Sequence, residues 1–274
     1  MRVGVIGLGN MGSPMAITLR AKGFEVSGCD PSHDRRAMFP GAVASVSALA
    51  AIDIALLSLP GPTHVEEVTA QLVEFLPPGG AIVDTSTVAP ETTRKLQARA
   101  SASGIAYVDA PVSGGAAGAT AGTLLVMAGG LAADVDRVMP VLAAISRKVV
   151  RCGGPGSGNV VKLINNMLCA GHLLLIGEAL RMAQAGDVAT PDLLDALNAG
   201  SGGSRVTEVN VPRWIATGTF DSGFSLALMA KDVGLAADLA GAADLAAEVA
   251  ARWTAARDTL GGHADFNRIV EVSR

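Results

Sequence analysis

The chain opens Met1-Arg2-Val3-Gly4-Val5-Ile6-Gly7-Leu8-Gly9-Asn10-Met11-Gly12, and the reading of these twelve residues decides the fold. Residues 3–6 form a short apolar run, the pattern of a strand buried on both faces. The run passes directly into G-x-G-x-x-G and then into residues 11–21, a segment of helical length. Strand, glycine turn and helix in that order are what a phosphate-binding βα unit requires. In such a unit Gly7 allows the tight turn, Gly9 the close approach of a pyrophosphate, and Gly12 close packing of helix on sheet. Asn10 and Met11 complete the loop, and the helix start offers free N–H groups and partial positive charge to the phosphates. The expectation is a dinucleotide site.

Asp30 ends the next apolar run, residues 26–29, and lies 23 residues after Gly7. A carboxylate about 20 residues past the glycine motif accepts hydrogen bonds from a ribose 2′-hydroxyl. It also repels a 2′-phosphate, so NAD is the expected cofactor. Arg35 and Arg36 follow closely and supply cations that accommodate such a phosphate, which keeps NADP as the second choice. Asp30 also suits a plain Asp30-Pro31-Ser32 turn.

Further out, apolar runs at 54–59, 81–84, 106–108 and 124–128 alternate with helical segments at 63–75, 90–101 and 132–145. This alternation predicts an α/β fold, a doubly wound, Rossmann-type parallel sheet with helices on both faces, over residues 1–157. A short helix is expected at 47–51. From Gly153 the texture changes to the loop Gly153-Gly154-Pro155-Gly156-Ser157-Gly158. Residues 159–185 then read as one long helix, apolar nearly all round and so buried on several sides. Helices at 191–198, 226–240 and 245–260 follow, with Thr190 placed to cap Pro191. Residues 158–274 are therefore expected to form an all-helical substrate and oligomerisation domain.

Composition excludes several classes. Of 274 residues, 50% are hydrophobic and 17% charged, which rules out wholesale disorder. A net charge of −4 gives no basic footprint for nucleic acid. Cys29, Cys152 and Cys169 are odd in number and lack metal-ligand spacing, so they read as small packing residues in a reducing compartment. The most apolar stretches, 41–59 and 167–180, are broken by Asp53 and Pro60 or fall short of a roughly 30 Å bilayer core. The start of the chain shows no cleavable leader pattern. No membrane partner and a cytoplasmic location are expected.

Four ordered motifs carry a resemblance. They are the opening glycines, Asp109-Ala110-Pro111-Val112-Ser113-Gly114-Gly115, the stretch Gly156–Asn166 (GSGNVVKLINN), and Leu228-Met229-Ala230-Lys231-Asp232. Together they resemble the β-hydroxyacid dehydrogenase family, typified by 3-hydroxyisobutyrate dehydrogenase, across nearly the whole chain. The resemblance implies that Ser113, Gly114 and Gly115 hold a substrate carboxylate, and a glycine pair does expose backbone donors. It implies that Lys162 is the catalytic lysine. Asn166 lies one helical turn on, on the same face. A lysine takes a hydroxyl proton once burial or nearby positive charge brings its pKa from about 10.4 towards 7–8. By the same resemblance Lys231 closes over the site towards substrate or cofactor, and Leu59, Pro60 and Thr87 line the nicotinamide side.

The implied reaction passes a hydride between NAD and a small, carboxylate-bearing 3-hydroxy acid, in a site between the two domains of a homodimer or homotetramer. One alternative is an NADPH-dependent reductase of tartronate semialdehyde or a related aldehyde-acid; another is a non-catalytic dinucleotide-binding module. Lys162 argues against the second. The stretch Ser201-Gly202-Gly203-Ser204-Arg205 and His64 depart from the relatives, so the individual acid stays open.

Overall fold

The structure, a computed structural model, describes residues 1–272. The chain divides into two compact units, Met1–Lys162 and a second that begins at Leu163.

Five strands build the parallel heart of the first unit: β1 (Arg2–Ile6), β2 (Glu25–Cys29), β3 (Ile54–Leu57), β4 (Ala81–Asp84) and β5 (Ala106–Asp109). They lie in the order β2-β1-β3-β4-β5, each pair parallel. Successive strand residues face opposite sides, which explains the unbroken apolar runs. Val3, Val5, Leu56, Val83 and Val108 enter one core. Ile6, Leu57, Ile82 and Tyr107 enter the other. Helices α1 (Gly12–Ala21), α2 (His33–Ala37), α3 (Pro62–Phe75) and α4 (Pro90–Ala102) connect the strands. Met15 and Leu19 of α1 complete the first core. Val65 and Leu72 of α3 and Leu96 of α4 complete the second.

The order of strand addition reverses at β1, because β2 lies on one side of it and β3 on the other. In open α/β sheets that reversal opens a crevice beyond the carboxyl ends of the strands. The Gly7–Gly12 turn sits there.

Past β5 the sheet becomes mixed. β6 (Val112–Ser113), α5 (Gly115–Ala121), β7 (Leu124–Gly129), α6 (Ala132–Ile145) and β8 (Ser146–Gly153) follow. β7 runs antiparallel to β5 and β6 and parallel to β8. β8 corrects the sequence reading, which took no strand there. Arg147, Lys148 and Arg151 interrupt its apolar pattern, and such charges suit an edge that must not recruit another chain. The helix expected at 47–51 is only a 3₁₀ turn, Val46–Ala48, and β3 stops at Leu57.

The long helix α7 (Ser157–Ala185) begins in the first unit and continues through the second. By length and composition it could cross a membrane, a test that a core helix also passes. The second unit adds α8 (Thr190–Ala199), a π-helical stretch Val206–Ile215, α9 (Leu226–Ala240), α10 (Asp244–Leu260) and a 3₁₀ turn, Phe266–Glu271. Among the described residues it contains no strand beyond an isolated bridge, Ser225 to Asp265. Leu173, Val211, Met229, Val233 and Trp253 form its core. Trp253 stacks on Phe266 and donates its indole N–H to the Ala170 carbonyl at 3.4 Å. Thr190 does not cap α8: Ala189 holds that position, and Thr190 already lies in the first turn.

Candidate active site

The glycine turn follows from close approach. Gly7 has φ of +92°, and a Cβ there would fall 2.3 Å from the Ser58 carbonyl oxygen. A Cβ on Gly12 would fall 1.8 Å from the Gly7 carbonyl oxygen, so helix α1 seats on the turn only without a side chain. Gly9 differs. Its nearest neighbour across that face is the Arg35 guanidinium at 3.8 Å, which leaves an open cradle. An open backbone face beside a cation fits a dinucleotide phosphate. Asn10 is exposed and Met11, half-buried, occupies the position just before α1.

Asp30 sits at the end of β2 with 1% of its surface exposed. Its Oδ2 accepts the Leu8 N–H and its Oδ1 the Ser32 N–H, both at 2.8 Å. The carboxylate thus joins the glycine turn to the start of α2. Each oxygen keeps a further lone pair. Arg36 donates to the Asp30 and Pro31 carbonyls at 2.9 and 2.7 Å, so it clamps the turn. Arg35 Nη1 lies 3.5 Å from Asp30 Oδ2 and is more than half exposed.

Leu59, Pro60 and Thr87 follow the neighbouring strands β3 and β4. The Leu59 N–H donates to Ser86 Oγ at 3.0 Å, and the Ser86 N–H donates to Asp84 Oδ1 at 2.9 Å. Tyr107 Oη donates to Asp84 Oδ2 at 3.0 Å. Burial pushes the Asp84 carboxyl up to about 6, against the Ser86 and Tyr107 bonds that favour its ionised form. Asp84 and Ser86 escaped the sequence reading. The available signal was a lone carboxylate ending an otherwise apolar strand.

Ser113 is half-buried in β6, while Gly114 and Gly115 are exposed with φ of +131° and +63°. Only glycine adopts such a pair easily, and it leaves the local backbone open.

Asp109, at the end of β5, secures the start of α7. Its Oδ1 accepts the Gly156 N–H and its Oδ2 the Asn159 N–H, each at 2.9 Å. Asn159 in turn accepts the Val88 N–H and donates to Thr93 Oγ1, both at 3.1 Å. A Cβ on Gly158 would collide with the Met127 carbonyl oxygen at 2.3 Å. The first turn of α7 is therefore pinned to the sheet, and Lys162, 9% exposed, stands on its second turn. Asp109 and Asn159 lie within the sequence motifs, but their roles do not show there, because their bonds span 47 to 71 residues.

Asn166 lies one turn past Lys162 on the same helix. Its Nδ2 donates to Asp232 Oδ2 at 2.6 Å, and its Oδ1 accepts from Asn165 Nδ2 at 3.1 Å. Lys231 Nζ lies 2.9 Å from Asp232 Oδ1. Asn166, Lys231 and Asp232 thus form one cluster, while the glycine turn, Asp30, Leu59 and Thr87 share the carboxyl ends of the parallel strands. No group of three or more His, Cys, Asp or Glu among the described residues is placed to hold a metal. No disulfide joins Cys29, Cys152 and Cys169, and burial pushes the Cys29 thiol up to about 11, so it packs in the core as a small apolar group.

Residues 2–154 match the family described as the NAD binding domain of 6-phosphogluconate dehydrogenase. Residues 156–273 match the one described as NAD-binding of NADP-dependent 3-hydroxyisobutyrate dehydrogenase. The chain is 36% identical to 2-(hydroxymethyl)glutarate dehydrogenase of Eubacterium barkeri over 86% of its own length and 81% of the relative's. It is also 36% identical to NAD-dependent L-serine dehydrogenase of Pseudomonas aeruginosa, over 87% and 85%. Among solved structures, 3-hydroxyisobutyrate dehydrogenase of Mycobacterium tuberculosis with L-serine superposes with a TM-score of 0.89 at 31% identity, covering 100% of this chain and 99% of that one. The chain belongs to the β-hydroxyacid dehydrogenase family, oxidoreductases of 3-hydroxy acids that use NAD or NADP.

Proposed function

We propose that the protein reversibly oxidises the terminal hydroxyl of a 2-substituted 3-hydroxypropionate to the aldehyde, with Lys162 exchanging the hydroxyl proton. The observation that carries this reading is the placement of Lys162: a buried lysine on a helix whose first turn Asp109 and Asn159 fix to the sheet. A base held that firmly keeps its distance to a bound hydroxyl, which is what proton transfer needs.

The acids named for the relatives share one skeleton. Serine, 3-hydroxyisobutyrate and 2-(hydroxymethyl)glutarate each carry a hydroxymethyl group on the carbon next to a carboxylate. Ser113, Gly114 and Gly115 are read as the carboxylate site and Asn166 as a hydrogen-bonding partner of the reacting oxygen. Lys231 is read as a cation for substrate or cofactor. The cofactor, held by Gly7, Gly9, Asn10, Met11, Gly12 and Asp30 with Leu59, Pro60 and Thr87 towards the nicotinamide, supplies the hydride acceptor. Lys162 removes the hydroxyl proton as the carbon loses hydride, and returns it in the reverse direction.

Asp30 favours NAD over NADP in this reading. The absence of a disulfide among Cys29, Cys152 and Cys169 suits a reducing cytoplasm. The exposed apolar side chains of α7 suit a homodimer. The test is a panel of 3-hydroxy acids with NAD and NADP, followed by reduced-cofactor absorbance. Turnover of hydroxymethyl acids supports the proposal; binding of cofactor without turnover of any acid would identify a non-catalytic module instead.

A further inference from the structure

We propose that Asp232 is a positioning residue, whose buried carboxylate sets which way the Asn166 amide faces. The inference rests on the reading of Asn166 given above, and extends it to a carboxylate that sequence alone presents as a solvated Lys-Asp pair.

Asp232 is 2% exposed. A buried carboxylate persists only with partners that offset its lost hydration. Two are present: Lys231 Nζ at 2.9 Å from Oδ1 and Asn166 Nδ2 at 2.6 Å from Oδ2. An ionised carboxylate accepts and never donates, so the nitrogen of the Asn166 amide must face it. Asn165 Nδ2, 3.1 Å from Asn166 Oδ1, is compatible with that orientation, and the acceptor-only carboxylate of Asp232 is what selects it.

The consequence is chemical. One N–H of Asn166 is spent on Asp232, and one remains. A donor held in place strengthens its bond as an oxygen gains negative charge, which is the change a hydroxyl undergoes when its proton leaves. An amide free to turn over would instead present its carbonyl, an acceptor, to that oxygen. Asp232 prevents the wrong face without touching the substrate.

The test is a double-variant cycle on the full-length protein, using Asp232→Asn, Asn166→Ala and both together. Asp232→Asn keeps the shape and removes the charge, so the variant folds. It is expected to lower kcat by about 10- to 100-fold, as loss of an oriented donor does, with the dissociation constant for NADH unchanged by fluorescence titration. The double variant is expected to be no slower than Asn166→Ala alone. Losses that multiply would mean that Asp232 acts independently of Asn166, and overturn the proposal.

A second readout needs no turnover. The Asn166 side-chain amide proton signals, assigned by their loss in Asn166→Ala, are expected to shift in Asp232→Asn. If they stay in place, the proposal falls even where the enzyme is active. If they shift but the wild type oxidises no hydroxy acid, the link between the two residues stands and the proposed reaction alone is overturned.

Discussion

The Arg35 guanidinium lies 3.5 Å from the Asp30 carboxylate and on the open side of Gly9. In the proposed cofactor site, a carboxylate suited to a ribose hydroxyl and a cation suited to a 2′-phosphate therefore sit side by side. Their neighbours differ. Asp30 is locked by the Leu8 and Ser32 N–H groups, whereas Arg35 is more than half exposed and free to turn towards a ligand. Arg36 spends its guanidinium on the Asp30 and Pro31 carbonyls.

From this arrangement the wild type is expected to prefer NADH while still binding NADPH. Arg35→Ala should weaken NADPH by about tenfold or more, the value of one charge-assisted hydrogen bond, and leave NADH nearly unchanged. Arg36→Ala should weaken both, because it loosens the turn. Asp30→Ala should weaken NADH and narrow the gap between the two. Fluorescence titrations with both reduced cofactors decide it; tighter NADPH binding by the wild type would reverse the reading of Asp30.

Lys162→Ala is expected to lower kcat by about 10²–10⁴, the usual contribution of a general acid–base group. The NADH dissociation constant should stay near the wild-type value, because in the proposed mechanism the lysine works on the substrate hydroxyl. Lys162 is followed by Asn166 on a pinned helix, so the variant should retain its fold by circular dichroism. A folded variant with near-normal turnover would remove Lys162 from the mechanism.

The parts of this molecule that were legible in sequence are those that local pattern dictates. β1, β4 and α6 could be read because their residues are uniformly apolar or lie on one helical stripe. The glycine turn could be read because its G-x-G-x-x-G spacing is itself a local pattern between strand and helix, and Gly12 answers a collision with Gly7 five residues before it. β8 was lost because its edge position rewards Arg147, Lys148 and Arg151, which erase the strand pattern. The supporting carboxylates were lost for a different reason. Asp84, Asp109 and Asp232 find partners 23 to 66 residues away, and no periodicity announces a bond across that separation. Sequence named Lys162 and Asn166; only the fold shows what holds them.

Asp84 gives a pH prediction with a definite sign. Its folded pKa of about 6 exceeds the roughly 3.9 of an unfolded aspartate, chiefly through burial, with nearby Asp109 adding to the rise. Between those values the native state holds a proton that the unfolded chain has lost. Stability from this group therefore falls as pH rises from about 4 to about 6. Asp84→Asn has no proton to lose, so the stability of the wild type relative to the variant should decline across that window. Urea unfolding of both proteins at several pH values measures it. A difference that stays flat from pH 4 to 6 would show that Asp84 does not titrate there.

Self-association is the expectation from the outer face of α7. Leu163, Leu173, Leu174 and Ile176 of this helix are buried within the chain, so the chain's own core covers one side. Val161, Ile164, Leu168, Leu175 and Met182 are exposed. Four of these recur every seven residues, which keeps them on one stripe that drifts only about 20° per repeat. An apolar stripe about six turns long is costly to leave in water, and a second copy of the same helix is the simplest complementary surface. A twofold pairing buries the stripe of both copies at once. The wild type should therefore elute with a mass of at least twice the 27.5 kDa of one chain in light scattering at micromolar concentration. Leu168→Glu with Leu175→Glu places two like charges opposite each other at such a contact and should yield a folded monomer. A wild-type mass near that of one chain would mean that the stripe is tolerated in solvent, and the dimer would be rejected.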